Sequence, residues 1–322
     1  TVGRTREATR RLWNRWRNGR LYEQSGHRKI LRQLTHEING SADAAANVSA
    51  YLAKQRLANR RYSLSALQRY STCPYQFLLG AMMRLEPWVE PEPLVRLDPL
   101  TRGSLYHAVQ ADLQRALAEQ GDLPLSPERV PAAVTLLDSI LNQVAGQYKE
   151  DLAPAIERVW EDEVEDLRRD LSIWVQRMAA EREWLPEYFE WSFGLSEHNE
   201  GRDPRSLNDP VTLDGRFVLR GSVDLIERHH TLDVLRVTDH KTGRNRANPD
   251  LIVGGGATLQ PVLYSMVVEQ ALGKRVVSGR LYYSTTAGGF ADKAIDINDY
   301  TRSQGLEVLT IIDRAVEQGF LV

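Results

Sequence analysis

Cysteine is nearly absent: Cys73 is the single one in 322 residues. An intrachain disulfide framework is therefore excluded, and so is a zinc site built from several cysteines of this chain. No apolar run approaches the ~18–20 residues a membrane-spanning helix needs, so no membrane partner is expected. The first residues are polar and Arg-rich, without the apolar stretch of a secretory signal, and a cytoplasmic protein is the expectation. The phosphate-binding pattern GxxxxGK[ST] is missing, which argues against a nucleotide-driven motor in this stretch. Repeats and low-complexity segments are missing too.

What is present is ordinary in bulk and uneven in distribution. Hydrophobic residues make up 42% and charged residues 26%, the balance of a globular protein with a buried core. The net charge of −2 suggests no polyanionic partner by itself. Yet residues 1–70 carry 15 Lys and Arg against 4 Asp and Glu, while the rest carry 26 against 39. Such asymmetry points to an anionic partner for the N-terminal part, or to a solvated basic helix face.

Spacing and breakers divide the chain. Residues 4–60 read as helical, with breaks at Gly19, Gly26 and Asn39-Gly40. Trp13, Trp16 and Tyr22 lie among arginines there, either to stack on unpaired bases or to fill a helical core. A helix is expected from Ser63, and another from Pro74 through Phe77 to Met83. Residues 86–99 are Pro-rich and extended, and a helix from Thr101 carries Leu105, Val109, Leu113 and Leu117. After a loop at 121–131, residues 132–184 read as two or three helices. Beyond Pro186 the character changes. Tyr188–Leu195, Arg216–Glu227, Leu232–His240 and Gly279–Thr285 read as strands, with a short edge strand at Ala294–Ile297. A helix at Leu259–Leu272 ends at Gly273, and a last helix covers 301–318. The expected class is α/β, with helices packed around one side of a central mixed sheet.

The chemistry concentrates in Gly221-Ser222-Val223-Asp224 and, fifteen residues on, Asp239-His240-Lys241. A turn near His229–Thr231 makes their strands antiparallel neighbours and sets Asp224 roughly opposite Val237. Asp239, two residues along, then shares a face with Asp224 at the ~7–8 Å of diagonal neighbours. Two carboxylates so placed can share one hard divalent cation, Mg²⁺ or Mn²⁺. Lys241 projects to the same face, where an ammonium can orient an attacking water and offset developing negative charge. Asp-x-Lys alone is also what an ordinary surface salt bridge at a strand end looks like. Glu190, on the strand Tyr188–Leu195, is a weaker candidate, a second carboxylate behind the site or an exposed strand residue.

These pieces do not stand alone. Gly103-Ser104-Leu105-Tyr106-His107, Gly221-Ser222-Val223-Asp224, Asp239-His240-Lys241 and Gln260-Pro261-Val262-Leu263-Tyr264 follow one another in the order GxxxH, GxxD, DxK, QxxxY. Together they resemble the RecB-like branch of the PD-(D/E)xK nucleases, from about Tyr62 to the C-terminus. The resemblance implies a restriction-endonuclease-like core at 62–322, with a helical insertion at about 121–185 and a basic helical extension at 1–61. It implies Asp224, Asp239, His107 and the backbone carbonyl of His240 as metal ligands. Lys241 becomes the catalytic lysine, and Gln260 and Tyr264, four apart on one helical face, steady it, the water or a phosphate.

The segment Tyr62 to Phe77, with Cys73-Pro74-Tyr75-Gln76-Phe77, resembles what precedes the nuclease core in AddB-type chains. Many of those place the first ligand of an iron–sulfur cluster at this Cys. A [4Fe–4S] cluster normally takes four thiolates, so Cys73 alone holds none unless a segment beyond Val322 supplies more. The expected function is thus a Mg²⁺-dependent deoxyribonuclease, an exonuclease module of a DNA break repair helicase–nuclease, with DNA and a helicase domain or subunit as partners. The alternatives are a CRISPR-associated nuclease of the same fold and a scaffold that binds DNA or a partner without cutting.

Overall fold

The computed structural model describes residues 42–86, 96–195, 201–245 and 258–321. The Arg-rich residues 1–41, with Trp13, Trp16 and Tyr22, lie outside them, as does most of the Pro-rich stretch after Glu86. In chain order the described elements begin with α1 (Ala42–Gln55), β1 (Tyr62–Ser63), α2 (Leu64–Thr72) and α3 (Pro74–Gln76), the last running into a π-helical turn at Phe77–Met82. Three long helices follow: α4 (Pro99–Glu119), α5 (Val130–Leu152) and α6 (Glu157–Ala180). The remainder is β2 (Trp184–Phe193), β3 (Val211–Leu213), β4 (Phe217–His229), β5 (Leu235–Lys241), α7 (Gln260–Leu272), β6 (Val276–Tyr283), β7 (Asp292–Asp296) and α8 (Asp299–Glu317).

Local chemistry sets the ends of the elements. The Ser63 side chain accepts from the Ala66 N–H and starts α2, as the sequence suggests. Asp98 accepts from the N–H groups of Leu100 and Thr101 and puts Pro99 in the first turn of α4, two residues ahead of the expected Thr101. Asn298 and Thr301 bond reciprocally at the start of α8. Gly273, at φ +65°, ends α7 where expected.

All seven strands join one mixed sheet ordered β1-β4-β5-β6-β7, with β2 and β3 also pairing with β4. β4 is the spine. Its first half pairs with β1 (parallel) and β3 (antiparallel), its second half with β2 and β5 (both antiparallel). β5 and β6 run parallel, with α7 as the crossover. β1 and β3, only two and three residues long, escaped the sequence reading because so short a strand shows no period.

Helices cover both faces of the sheet rather than one. One layer packs Leu64, Leu67, Phe77, Val262, Leu263, Val267, Leu309 and Ile312 of α2, the π turn, α7 and α8 onto Trp191, Phe193, Ile226 and Val237. The other packs Leu105, Val109, Leu113, Leu141, Leu171 and Trp174 of α4, α5 and α6 onto Tyr282. Alternation along β6 explains this, since Gly279 lies under Pro261 of α7 while Tyr282 faces the other layer.

Candidate active site

The β4–β5 hairpin carries the acidic pair, but with a longer turn than the sequence implied. His229 N–H donates to the carbonyl of Val234, so residues 230–233 make the loop. Val237 therefore pairs with Ile226, not with Asp224. The shift is two residues, an even number, so the side-chain parity along β5 is unchanged. Asp224 comes level with the end of the ladder, and its Oδ2 accepts the His240 backbone N–H at 2.7 Å. The His240 imidazole is buried among the rings of His107, Trp174 and Tyr282. Burial drives its pKa down to about 3, so the ring is neutral at ordinary pH.

Around this hairpin the four motifs meet in pairs. His107 reaches from α4 to put Nδ1 3.4 Å from Oδ2 of Asp224. A Cβ on Gly103, one turn earlier, would sit 3.3 Å from Oγ1 of Thr242, the residue after Lys241. Lys241 Nζ donates to Oε1 of Gln260 at 3.0 Å and pairs with the buried carboxylate of Asp239. Tyr264, one turn beyond Gln260, is buried over Gly221, where a Cβ would come within 3.0 Å of its ring and 3.1 Å of its hydroxyl. A side chain at residue 221 would make the Tyr264 ring give way by a few tenths of an ångström. The glycine of one motif thus makes room for the tyrosine of another.

Glu190 carries more weight here than the sequence suggested. It sits on β2 at φ +53°, a left-handed conformation rare for a residue with a side chain. Phe189 and Trp191 pair with Leu225 and Val223 on either side of it. Its carboxylate accepts from Oγ of Ser222 at 3.2 Å and joins His107 and Asp224. One ligand atom from each of the three lies within 4.8 Å of the others. Sequence patterning shows no such feature, because a positive φ on a strand leaves the apolar alternation around it almost untouched.

The electrostatics fit a cation site. Burial, and then the charge of Asp224, push the Glu190 carboxyl up to about 8. Burial likewise raises Asp239 to about 6, with Lys241 pulling it down and Asp224 pushing it up. Burial works against the charge on Lys241, but Asp239 and Asp224 overcome it and hold the ammonium above its ordinary value. The anionic charge gathered here is thus only partly balanced by one lysine. Carboxylate oxygens and an imidazole nitrogen a few ångströms apart are the donor set of a divalent metal such as Mg²⁺ or Mn²⁺. Cys73, on the connection from α2 to α3, is a free, half-buried thiol. No other cysteine exists in the chain to share an iron–sulfur cluster with it.

A solved structure of a provisionally named exonuclease from Eubacterium rectale is similar at 12% identity, over 80% of this chain and 82% of that one, with a TM-score of 0.40. No curated protein matches the chain. The sequence model of the PD-(D/E)XK nuclease superfamily matches residues 61–317, which span the hairpin and all four motifs. The chain therefore belongs to the PD-(D/E)XK nuclease superfamily.

Proposed function

We propose that the chain is a metal-dependent deoxyribonuclease of the RecB-like branch, with its catalytic centre at Asp224, Asp239 and Lys241. The observation that carries the reading is the convergence of the four motifs around the β4–β5 hairpin, with His107, Glu190 and Asp224 within 4.8 Å of one another and Lys241 tied to Asp239. His107, Glu190, Asp224 and Asp239, together with the backbone carbonyl of His240, would hold the cation. When bound, it supplies Lewis acidity toward the phosphate and a more acidic water.

The rest of the chemistry belongs to the chain. Asp224 is held through Oδ2, which takes the His240 N–H and lies beside the His107 imidazole. Lys241 keeps its proton beside two carboxylates, so its role is to donate hydrogen bonds to the attacking water or a phosphate oxygen. Gln260 fixes the direction of that ammonium through a 3.0 Å bond. Tyr264, whose hydroxyl is held far above its usual range by burial, stays neutral and packs α7 against β4. An exonuclease working on DNA breaks beside a helicase domain or subunit is the biological setting that the RecB-like motif order supports.

The test is cleavage of linear and circular, single- and double-stranded DNA with Mg²⁺, Mn²⁺ or EDTA, for wild type and Asp239→Ala. Cleavage that needs metal and is lost in the variant is the expected result, and confinement to linear substrates would mark an exonuclease. Wild-type protein that cuts no substrate under any condition would overturn the reading.

A further inference from the structure

Arg60, Arg61, Arg84 and Arg220 come from three stretches of chain and crowd one another at the surface. β1 brings Arg61 to β4, because Tyr62 pairs with Leu219 and Ser63 with Arg220. Arg60 donates to the carbonyls of Ala81 at 2.7 Å and Met82 at 2.8 Å, which fastens the turn ahead of Arg84 beside it. The side chains of Arg61, Arg84 and Arg220 are exposed. Partial burial, then the charges of Arg84, Arg61 and Arg60, hold the Arg220 guanidinium below its ordinary value.

Other arginines of the fold are matched to carboxylates: Arg56 to Asp313, Arg205 to Asp203, Arg236 to Glu227 and Arg302 to Glu269. Among the described residues, Arg61, Arg84 and Arg220 have no acidic partner. Like charges gathered without counter-charge repel, and a polyanion that lies across them removes the repulsion.

The patch leads into the cleft. Arg220, Ser222 and Asp224 alternate along β4, while Gly221 and Val223 between them turn toward the Tyr264 side of the sheet. Ser222 is the residue that bonds Glu190. Beside Arg220 the chain bends at Gly194, at φ +66°, where a Cβ would lie 2.9 Å from the Arg220 Cβ and 3.0 Å from Pro210. Glycine there leaves room for Arg220 to stand out from the strand. Four residues of strand separate Arg220 from Asp224, about 13 Å at 3.3 Å per residue. That is the rise of about four nucleotides of one DNA strand.

We infer that Arg61, Arg84 and Arg220 grip the DNA backbone a few nucleotides from the scissile phosphate and lead the strand into the cleft. The inference rests on the nuclease reading above. Guanidiniums of this kind contact phosphates regardless of base sequence, so they set affinity and register rather than sequence preference.

The test is fluorescence-anisotropy binding of an end-labelled DNA in EDTA over a range of salt, followed by single-turnover cleavage in Mg²⁺ at saturating DNA. Each lost phosphate contact lowers the slope of log affinity against log salt by about 0.9 on duplex, or about 0.7 on single strands. The double variant Arg84→Ala/Arg220→Ala is expected to lose about two contacts' worth of slope and about ten-fold or more in affinity at low salt. Arg84→Lys/Arg220→Lys keeps the charges and is expected to keep most of the slope, which separates electrostatic contact from a damaged fold. Unchanged slope and affinity in the alanine variant, with wild type binding and cutting normally, would overturn the patch and leave the nuclease reading standing. Wild type that neither binds nor cuts DNA would overturn both.

Discussion

Glu190 and Lys241 carry the sharpest expectations at the scale of single residues. Removing the ammonium in Lys241→Ala takes away a positioned donor, and cleavage is expected to fall by about 10²–10⁴-fold. Binding in EDTA and the circular-dichroism spectrum should be unchanged, and a variant that cuts at the wild-type rate would remove Lys241 from the site. His107→Ala leaves the carboxylates in place, so it should shift the Mg²⁺ requirement upward before it lowers the maximal rate, as read by a Mg²⁺ titration of cleavage. Glu190 makes a pH-dependent prediction. Its folded-state pKa, about 8, lies above the ordinary carboxyl value of 4.5. The stability it contributes is complete below about 4.5 and is lost as pH rises toward 8. Without metal, Glu190→Gln should therefore melt above wild type at pH 8 and beside it at pH 4, and with Mg²⁺ it should have lost most of the cleavage activity. Equal melting points at pH 8 would show that the wild-type carboxyl ionises there without strain. His107 and Asp224 were legible as candidates in the sequence, whereas the weight of Glu190 was not, because its position depends on a backbone turn no side-chain pattern encodes.

Among the elements, β4, β5 and β6 are cross-braced on the face opposite α7 by a buried ion network. Glu227 of β4 accepts from Arg236 of β5 at 2.7 and 2.8 Å, from Thr238 at 2.5 Å and from Arg280 of β6 at 3.2 Å. Burial works against its charge, but Arg280 and Arg236 prevail and hold the carboxyl down to about 2. A depressed carboxylate contributes stability that is present above the unfolded value near 4.5 and lost as pH falls toward 2. Glu227→Gln removes the buried counter-charge shared by Arg236 and Arg280 and leaves them only the more exposed Glu181 and Asp292; it is expected to cost up to about 3–5 kcal/mol at pH 7. Urea unfolding at pH 7 and pH 3 checks both parts. The variant should be weaker at pH 7 and should lose less than wild type on going to pH 3, and equal losses would exclude Glu227 from acid unfolding. This brace holds β5 in register, and with it Asp239 and Lys241 against Asp224. The strands themselves were readable from their apolar residues. The register between them was not, because it turned on a four-residue loop, His230 to Asp233, whose residues also suit a tighter turn.

For the molecule as a whole, the sheet and its two helical layers fix the cleft, and metal binding should be felt globally. A cation that binds the folded state alone stabilises it by RT ln(1 + [L]/Kd), about 2.7 kcal/mol at a hundred-fold excess over Kd. Differential scanning calorimetry should thus show wild type melting higher with Mn²⁺ than with EDTA. The double variant Asp224→Asn/Glu190→Gln should show no such shift, and a full shift in that variant would put the cation elsewhere. Among the described residues no helix is long and apolar enough to cross a membrane, in line with the short apolar runs of the sequence.

By itself the sequence determined which residue types were on hand and roughly which elements carried them. Apolar periodicity marked the main helices and strands, a capping serine and a terminal glycine marked their ends, and the order GxxxH, GxxD, DxK, QxxxY marked the family. Each piece is local, readable within a few turns of helix or one strand, and only the order of the motifs needs the length of the chain. Only the tertiary structure decided how distant pieces face one another. It put helices on both faces of the sheet and set Asp224 level with the end of β5. It buried the His240 ring among His107, Trp174 and Tyr282 and brought Glu190 in from β2. It also gathered Arg61, Arg84 and Arg220 from three stretches of chain. Each of these depends on loop length, local backbone twist or contacts between segments tens of residues apart, and a side-chain pattern along one segment carries no record of them.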